Sequence, residues 1–412
     1  MEKEENPIQF ELSNGLKVVH QKSNRPVAHC GLMIDAGTRD ELEGEEGLAH
    51  FIEHAIFKGT KNRRAYHILN RLDSVGGELD AFTSKEMTCF SASFLTEYYE
   101  RAIELLSDIS LNPTFPKKEL EKEKAVVLDE ILAYLDSPAE QIYDDFESQV
   151  FHPHALGNQI LGNPKSLKKF DKQMIENYMN RLYKADNMVF ASVGNISAKK
   201  LKNKLEKHFS SLSSEATNSP RYPFVHKKAS TQKIKRATFQ THCMMGKATN
   251  GNDKLNRIKI SMLNNILGGP AMNSILNLKI REKYGYTYNI ESNYAAYSDS
   301  GLFSIYLATD PKYTERSLQA VFKELKLLRE KKLTTNKLHL AKQQLKGQLA
   351  ISRESNNSLM HSYGKSMLMR GSVKTLQEIY KELEAVSAED LQEVAQRELN
   401  PNDFDFLFFE GK

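Results

Sequence analysis

The 412-residue sequence contains no apolar run approaching the roughly 18–20 residues that a membrane-crossing helix needs. A membrane-spanning protein is therefore not expected. Surplus charge is also scarce: 57 Lys and Arg stand against 53 Asp and Glu, a net charge of +4. That balance gives no basic face of the kind that binding to nucleic acid or an anionic membrane demands. Cysteine is sparse. Cys30, Cys89 and Cys243 are odd in number, scattered and outside any CxxC pair. This excludes a disulfide framework and points to small buried side chains. The first residues, Met1-Glu2-Lys3-Glu4-Glu5-Asn6, are charged. They lack the apolar segment of a signal peptide and are too acidic for a transit peptide, so the expected location is the cytoplasm. What remains is an ordinary soluble composition, 40% hydrophobic and 27% charged. The chain is too long for one core and long enough for two domains.

Residues 10–12 and 16–19 flank Ser13-Asn14-Gly15, and Asn-Gly is a strong hairpin signal. A third strand is predicted over 28–34. Leu48, Phe51, Ile52 and Ile56 recur at helical spacing, which predicts a helix over 47–57. Gly76-Gly77 opens a strand region that runs through 82–94. Helices follow over 98–109 and 116–135, the second with Pro116 near its first turn. Periodicity then breaks between about 210 and 235 in a Ser- and Pro-containing stretch that reads as a linker.

Beyond the linker the pattern returns. Thr241-His242-Cys243-Met244-Met245 echoes Ala28-His29-Cys30-Gly31-Leu32, and the strand from Phe303 to Thr309 echoes that from Phe90 to Thr96. Both echoes are offset by 213 residues. The expected fold class is α+β: two tandem homologous domains, each an antiparallel-rich sheet covered by helices on one face. Residues 1–212 form the first domain, 213–235 the linker and 236–412 the second.

His50-Phe51-Ile52-Glu53-His54 carries the chemistry. On a helix, positions i and i+4 share a face about 5–6 Å apart, so both imidazoles can converge on one divalent ion. Glu53 projects beside them without being needed as a ligand, where a base for an activated water belongs. A catalytic zinc needs a third protein ligand and an open position. The helix from Pro116 offers Glu119, Glu121, Glu123, Asp129 and Glu130, and local pattern does not choose among them.

These residues, with Glu123, Glu130, Phe57-Lys58-Gly59-Thr60, Gly76-Gly77 and Thr83-Ser84-Lys85-Glu86, resemble the pitrilysin-type inverzincin (HxxEH) metallopeptidases. The resemblance is to the short branch related to the mitochondrial processing peptidase, and it spans nearly the whole chain. It implies the LuxS/processing-peptidase fold, one Zn²⁺ per chain held by His50, His54 and Glu130, and Glu123 supporting the ligands. Glu130 lies 76 residues beyond His54, where the family has its third ligand. Ile280-Arg281-Glu282-Lys283-Tyr284-Gly285-Tyr286-Thr287-Tyr288 resembles the family's Arg/Tyr segment. Arg281 and Tyr288 would then contact the substrate backbone and the developing oxyanion.

The resemblance further implies hydrolysis of short or unfolded peptides inside a chamber built from two such chains. A homodimer is expected, with a heterodimer with a paralogue as the alternative partner arrangement. The alternative function is a non-catalytic or substrate-binding subunit. The peptide is expected to add a strand along the edge near Gly77, Asp80, Ala81 and Thr83. Asp80 departs from the family, which usually has Asn there. The second half has lost the ligands: Asn264 stands at the counterpart of His54, and the counterpart of Glu130 falls near Gln343.

Overall fold

Gly15 adopts φ +90°, a conformation open to glycine at little cost, and reverses the chain between β1 (Ile8–Glu11) and β2 (Lys17–Lys22). In this computed structural model, residues 6–214, 221–250 and 254–411 are described. The first half continues through β3 (Val27–Ile34), α1 (Leu48–Ala55), α2 (Ala65–Asp73), β4 (Glu78–Thr83), β5 (Thr88–Leu95), α3 (Tyr99–Leu111) and α4 (Lys117–Leu135). It then adds α5 (Pro138–Phe151), α6 (Pro164–Leu167), α7 (Lys172–Leu182), β6 (Met188–Gly194) and α8 (Ala198–Phe209). The second half runs β7 (Thr231–Lys235), β8 (Thr241–Asn250), α9 (Lys254–Gly268), β9 (Thr287–Ala296), β10 (Ser300–Thr309) and α10 (Thr314–Glu330). It ends with α11 (Thr335–Ser352), α12 (Asn356–Arg370), α13 (Leu376–Ala385), α14 (Ala388–Glu398) and β11 (Asp405–Glu410).

Two mixed sheets form, one six-stranded in the order β1-β2-β6-β3-β5-β4, the other five-stranded in the order β7-β11-β8-β10-β9. Apart from β1, the two orders match strand for strand. Each contains one parallel pair, β2 with β6 and β7 with β11, among antiparallel neighbours. This repeat of topology extends the residue echoes at Cys30 and Cys243. The closing strands β6 and β11 were not assigned from sequence. Met188–Gly194 is buried throughout, and such an apolar run carries no period that distinguishes strand from helix.

Each sheet buries both faces, so the expectation of helices on one face describes only part of the layering. In the first sheet, Leu32 and Phe90 join a large core with α1, α3 and α8, while Met33, Cys89, Val189 and Ala191 face Met360 and Tyr363 of α12. In the second, Met245, Ile305 and Leu307 pack with α9, α10 and α14, and Met244, Tyr306 and Phe409 pack with Ile142, Phe146 and Val150 of α5.

The compact units consequently interleave in sequence, which differs from a single break between 212 and 236. One comprises Met1–Ile131, Asn158–Arg221 and Ala350–Thr375; the other comprises Leu132–Gly157, Tyr222–Leu349 and Leu376–Lys412. The expected linker, 213–235, lies partly outside the described residues, and its last five residues form β7. Met1–Glu5 also lie outside them. No helix among the described residues is long and apolar enough to cross a membrane.

Candidate metal centre and active site

α1 is fixed at its start by a carboxylate and a glycine pair. The Gly47 and Ala49 amides, which a helix start leaves without helical partners, donate to Glu41 at 3.0 and 2.9 Å. Gly47 has φ +89°, and a Cβ there would lie 2.7 Å from the Gly162 Cα. The helix therefore enters pinned against the chain at 162. Leu48, Phe51, Ile52 and Ala55 point into the core, which leaves His50 and His54 together on the opposite side with ring centroids 4.7 Å apart.

α4 carries the acidic partners. Its buried stripe is Leu120, Glu123, Val127 and Ile131, so Glu123 occupies a core position while Glu130, one residue round from Ile131, stays half-exposed. Glu130 Oε2 lies 3.7 Å from His50 Nε2 and 3.4 Å from His54 Nε2. One ligand atom from each of His50, His54 and Glu130 falls within 4.8 Å of the others, and no other such group occurs among the described residues.

This donor set fits zinc. Ligand bonds of about 2.0–2.1 Å at tetrahedral angles place donor atoms roughly 3.3 Å apart, close to the two distances above. The hydrogen bonding fits as well. His54 Nδ1 is bonded to Glu123 Oε1 at 3.0 Å, so Nε2 is the nitrogen on the side of Glu130. Burial, and next the neighbouring His54, push the His50 pKa down to about 4, so its ring is neutral and able to ligate. Burial works against the charged form of His54, but the Glu123 hydrogen bond and the charges of Glu130, Glu123 and Glu53 outweigh it and raise the pKa.

Glu53 is the third polar residue of α1 at the site. Thr83 Oγ1, at the end of β4, donates to Glu53 Oε2 at 2.6 Å. Burial raises the Glu53 carboxyl above its ordinary value, with Thr83 and His54 opposing and Glu130 and Asp80 adding. A more basic carboxylate beside a metal site is suited to accepting a proton. Thr83, expected as a peptide contact, thus has its hydroxyl committed to orienting Glu53.

A cavity of about 270 Å³ opens here, lined by Glu53, His54, Phe57, Lys58, Leu69, Leu79, Asp80, Ala81 and Glu123. β4 forms one side of it and, among the described residues, is the last strand of its sheet, bonded to β5 on one edge alone. Gly77 immediately precedes β4. The unpaired edge displays main-chain donors and acceptors next to Glu53, the arrangement an added peptide strand requires.

Arg281 and Tyr288 lie in the other compact unit and are brought together there. The Arg281 guanidinium stands over the Tyr288 ring, 4.9 Å from its centroid, and Tyr288 is 80% exposed. Asn264 falls on α9 and Gln343 on α11. Sequence reasoning gave no role at the site to two residues. Glu41 precedes the motif by nine positions without any local signal. Lys58 bonds Glu123 Oε2 at 2.7 Å, and its place directly after the histidine helix was the available clue.

The profile of the insulinase family (peptidase family M16) matches residues 17–164, and that of the peptidase M16 inactive domain matches 169–345. The chain is 35% identical over 395 residues to an uncharacterized zinc protease of Bacillus subtilis, covering 94% of each. It is 31% identical over 402 residues to an uncharacterized zinc protease of Mycobacterium leprae, covering 94% of this chain and 88% of that protein. A protease from Helicobacter pylori superposes with a TM-score of 0.92 at 20% identity, over 98% of this chain and 99% of that one. The structure titled as a peptidase M16 inactive domain from Pseudomonas fluorescens gives 0.90 at 21%, over 98% of both. The last two likenesses establish the fold.

Proposed function

The chain belongs to peptidase family M16, and from that premise we propose that it is a zinc-dependent endopeptidase of the short inverzincin branch related to the mitochondrial processing peptidase. The observation that carries this reading is the convergence of His50, His54 and Glu130 beside Glu53 at the unpaired edge of β4.

A bound zinc would supply Lewis-acid polarisation of water and of the scissile carbonyl. Protein groups do the rest. Main-chain groups of β4 hold the peptide extended, near Gly77, Asp80 and Ala81, so that contacts tolerate many side chains. Glu53, oriented by Thr83, takes the proton of the attacking water and returns it to the leaving amine. Arg281 and Tyr288 supply a guanidinium and a phenol, both donors to carbonyl oxygen or oxyanion. Among its described residues the second domain carries no ligand set, and it serves as wall and substrate grip.

The assembly we propose is a homodimer enclosing a chamber that admits short or unfolded peptides. In it, Arg281 of the partner subunit and Tyr288 of the partner subunit act on peptide bound to this chain. Three free, buried cysteines suit a cytoplasmic location.

The deciding experiment pairs metal analysis with mass spectrometry of peptide libraries incubated with the purified chain. One zinc per chain and cleavage abolished by a chelator support the reading. Tight zinc binding without cleavage would favour the non-catalytic subunit, and cleavage restored only by an added paralogue would favour a heterodimer.

A further inference from the structure

We infer that Lys58 is a positioning residue for the metal centre, holding Glu123 in the orientation that fixes which nitrogen of His54 faces the other two ligands. The inference rests on the metallopeptidase reading and adds to it a residue that the ligand set does not include.

The geometry is a chain of three groups. Lys58 Nζ bonds Glu123 Oε2 at 2.7 Å, and Glu123 Oε1 bonds His54 Nδ1 at 3.0 Å. The two oxygens of Glu123 are thus divided between one permanent cation and one imidazole. The Glu123 side chain is only 7% exposed, so solvent does little to stabilise its charge. Among the described residues lining the adjoining cavity, Lys58 is the one ammonium, and Glu53, Asp80 and Glu123 are the carboxylates that share that lining.

The lysine is itself held in place. It ends the 3₁₀ turn Ile56–Lys58 that extends α1, and the chain just beyond is tied down. Thr60 Oγ1 donates to Asp108 Oδ2 at 2.8 Å, and Arg63 Nη1 donates to the same oxygen at 2.6 Å. The stem of Lys58 therefore starts from a fixed point, and its reach to Glu123 is part of the fold. Without the ammonium, a nearly buried carboxylate keeps one oxygen facing the cavity with no cation. Turning towards water relieves this, at the expense of the His54 bond. The ring of His54 is then free to rotate or change tautomer, which weakens the site for metal.

The test measures zinc affinity of the full-length apoprotein by competition with a chromogenic chelator, with no peptide present. Glu123→Gln is expected to weaken zinc by about 10–100-fold, as loss of an outer partner of a ligating histidine does. Lys58→Met is expected to weaken it about tenfold, and Lys58→Arg, which keeps the cation, to stay within about threefold of the parent. The double variant Lys58→Met/Glu123→Gln should match Glu123→Gln alone, because lysine acts through the glutamate. A purely structural lysine would give losses that multiply. Should Lys58→Met not fold, Lys58→Gln, which drops the charge but keeps a donor, takes its place with the same outcomes. Zinc affinity unchanged in the Lys58 variant, or losses that multiply in the double variant, overturns the inference while leaving the peptidase reading intact. Failure of the parent chain to bind zinc removes both.

Discussion

Replacing Glu53 by Gln is the perturbation on which the proposed chemistry is most exposed. Gln has the same length and shape, and its amide oxygen can still accept the Thr83 hydroxyl that now bonds Glu53 Oε2 at 2.6 Å. The helix face carrying His50 and His54 is untouched, so the ligand atoms keep their positions and zinc affinity should change by less than about threefold. What is removed is the proton acceptor. A positioned general base contributes about 10²–10⁴ in rate, which is about 3–5 kcal/mol at 1.36 kcal/mol per tenfold. The expected outcome is a fall in kcat/KM of at least about a hundredfold, with full zinc content and unchanged melting of the zinc-loaded protein. Hydrolysis of a quenched fluorescent peptide, followed alongside metal analysis of the same preparation, measures both. A Glu53→Gln protein that keeps more than about a tenth of parent activity would refute the assignment of the base. One that loses its zinc would refute the placement of Glu53 outside the ligand set.

Three further outcomes follow from the geometry. Gly162→Ala would place a Cβ 2.3 Å from the Glu46 carbonyl oxygen at φ +68°, so a loss of roughly 2–3 kcal/mol is expected; calorimetry should show Tm lower by about 5–10 °C, with weaker zinc binding because α1 starts at this contact. Chelation should lower the Tm of the parent protein, since zinc at a hundred times its Kd stabilises by about 2.7 kcal/mol; His54→Ala should melt at the same temperature with and without chelator. His20 is buried, bonded to Ser192 and the Ile196 carbonyl, and burial lowers its pKa. Its unfolded state therefore binds the proton first as pH falls below about 6.5, and the associated stability, present above that pH, declines towards the lower folded value, by at most about 1.4 kcal/mol per pH unit. Urea titrations at pH 7.5 and 5.5 should show a larger loss for the parent than for His20→Gln.

How much of this was legible in the sequence depends on how far apart the interacting residues lie. The Asn14-Gly15 turn and the helix bearing His50, Glu53 and His54 are written in neighbouring residues, because a hairpin and an i, i+4 pair need no distant partner. Glu130 was not legible from pattern, since five acidic residues of α4 compete and only tertiary packing turns one towards the histidines; the resemblance singled it out. Glu123 shows why. It lies on the buried stripe with Leu120, Val127 and Ile131, a place that charge patterning assigns to an apolar residue. The interleaved units were invisible for the same reason. Nothing local in α5 or α12 marks the sheet face it covers, and nothing states that α12 pairs Met360 with Met33, more than three hundred residues away.

The same sheet order in both halves, with a candidate ligand set among the described residues of only one, isolates what the proposed chemistry needs beyond the fold. Both halves present a terminal strand, β4 and β9, antiparallel to its neighbour. Both place a helix between the third strand of the repeat and that edge, α1 and α9, and a second helix further on, α4 and α11. The scaffold thus repeats the same order of helices and edge strand along the chain. The first copy adds carboxylates at three depths: Glu130 half-exposed among the ligands, Glu53 tied to the edge strand, and Glu123 nearly buried between His54 and Lys58. Each depth suits its role, because an exposed oxygen can reach a metal, an oriented one can take a proton, and a buried one paired with a cation can hold an imidazole without titrating away. In α9, Asn264 occupies the place expected for the second histidine, with its side-chain oxygen buried and without a hydrogen-bond partner. On the proposed reading, the two copies share a frame and differ in a few side chains, the two histidines of α1 and the carboxylates whose burial and pairing set their roles around them.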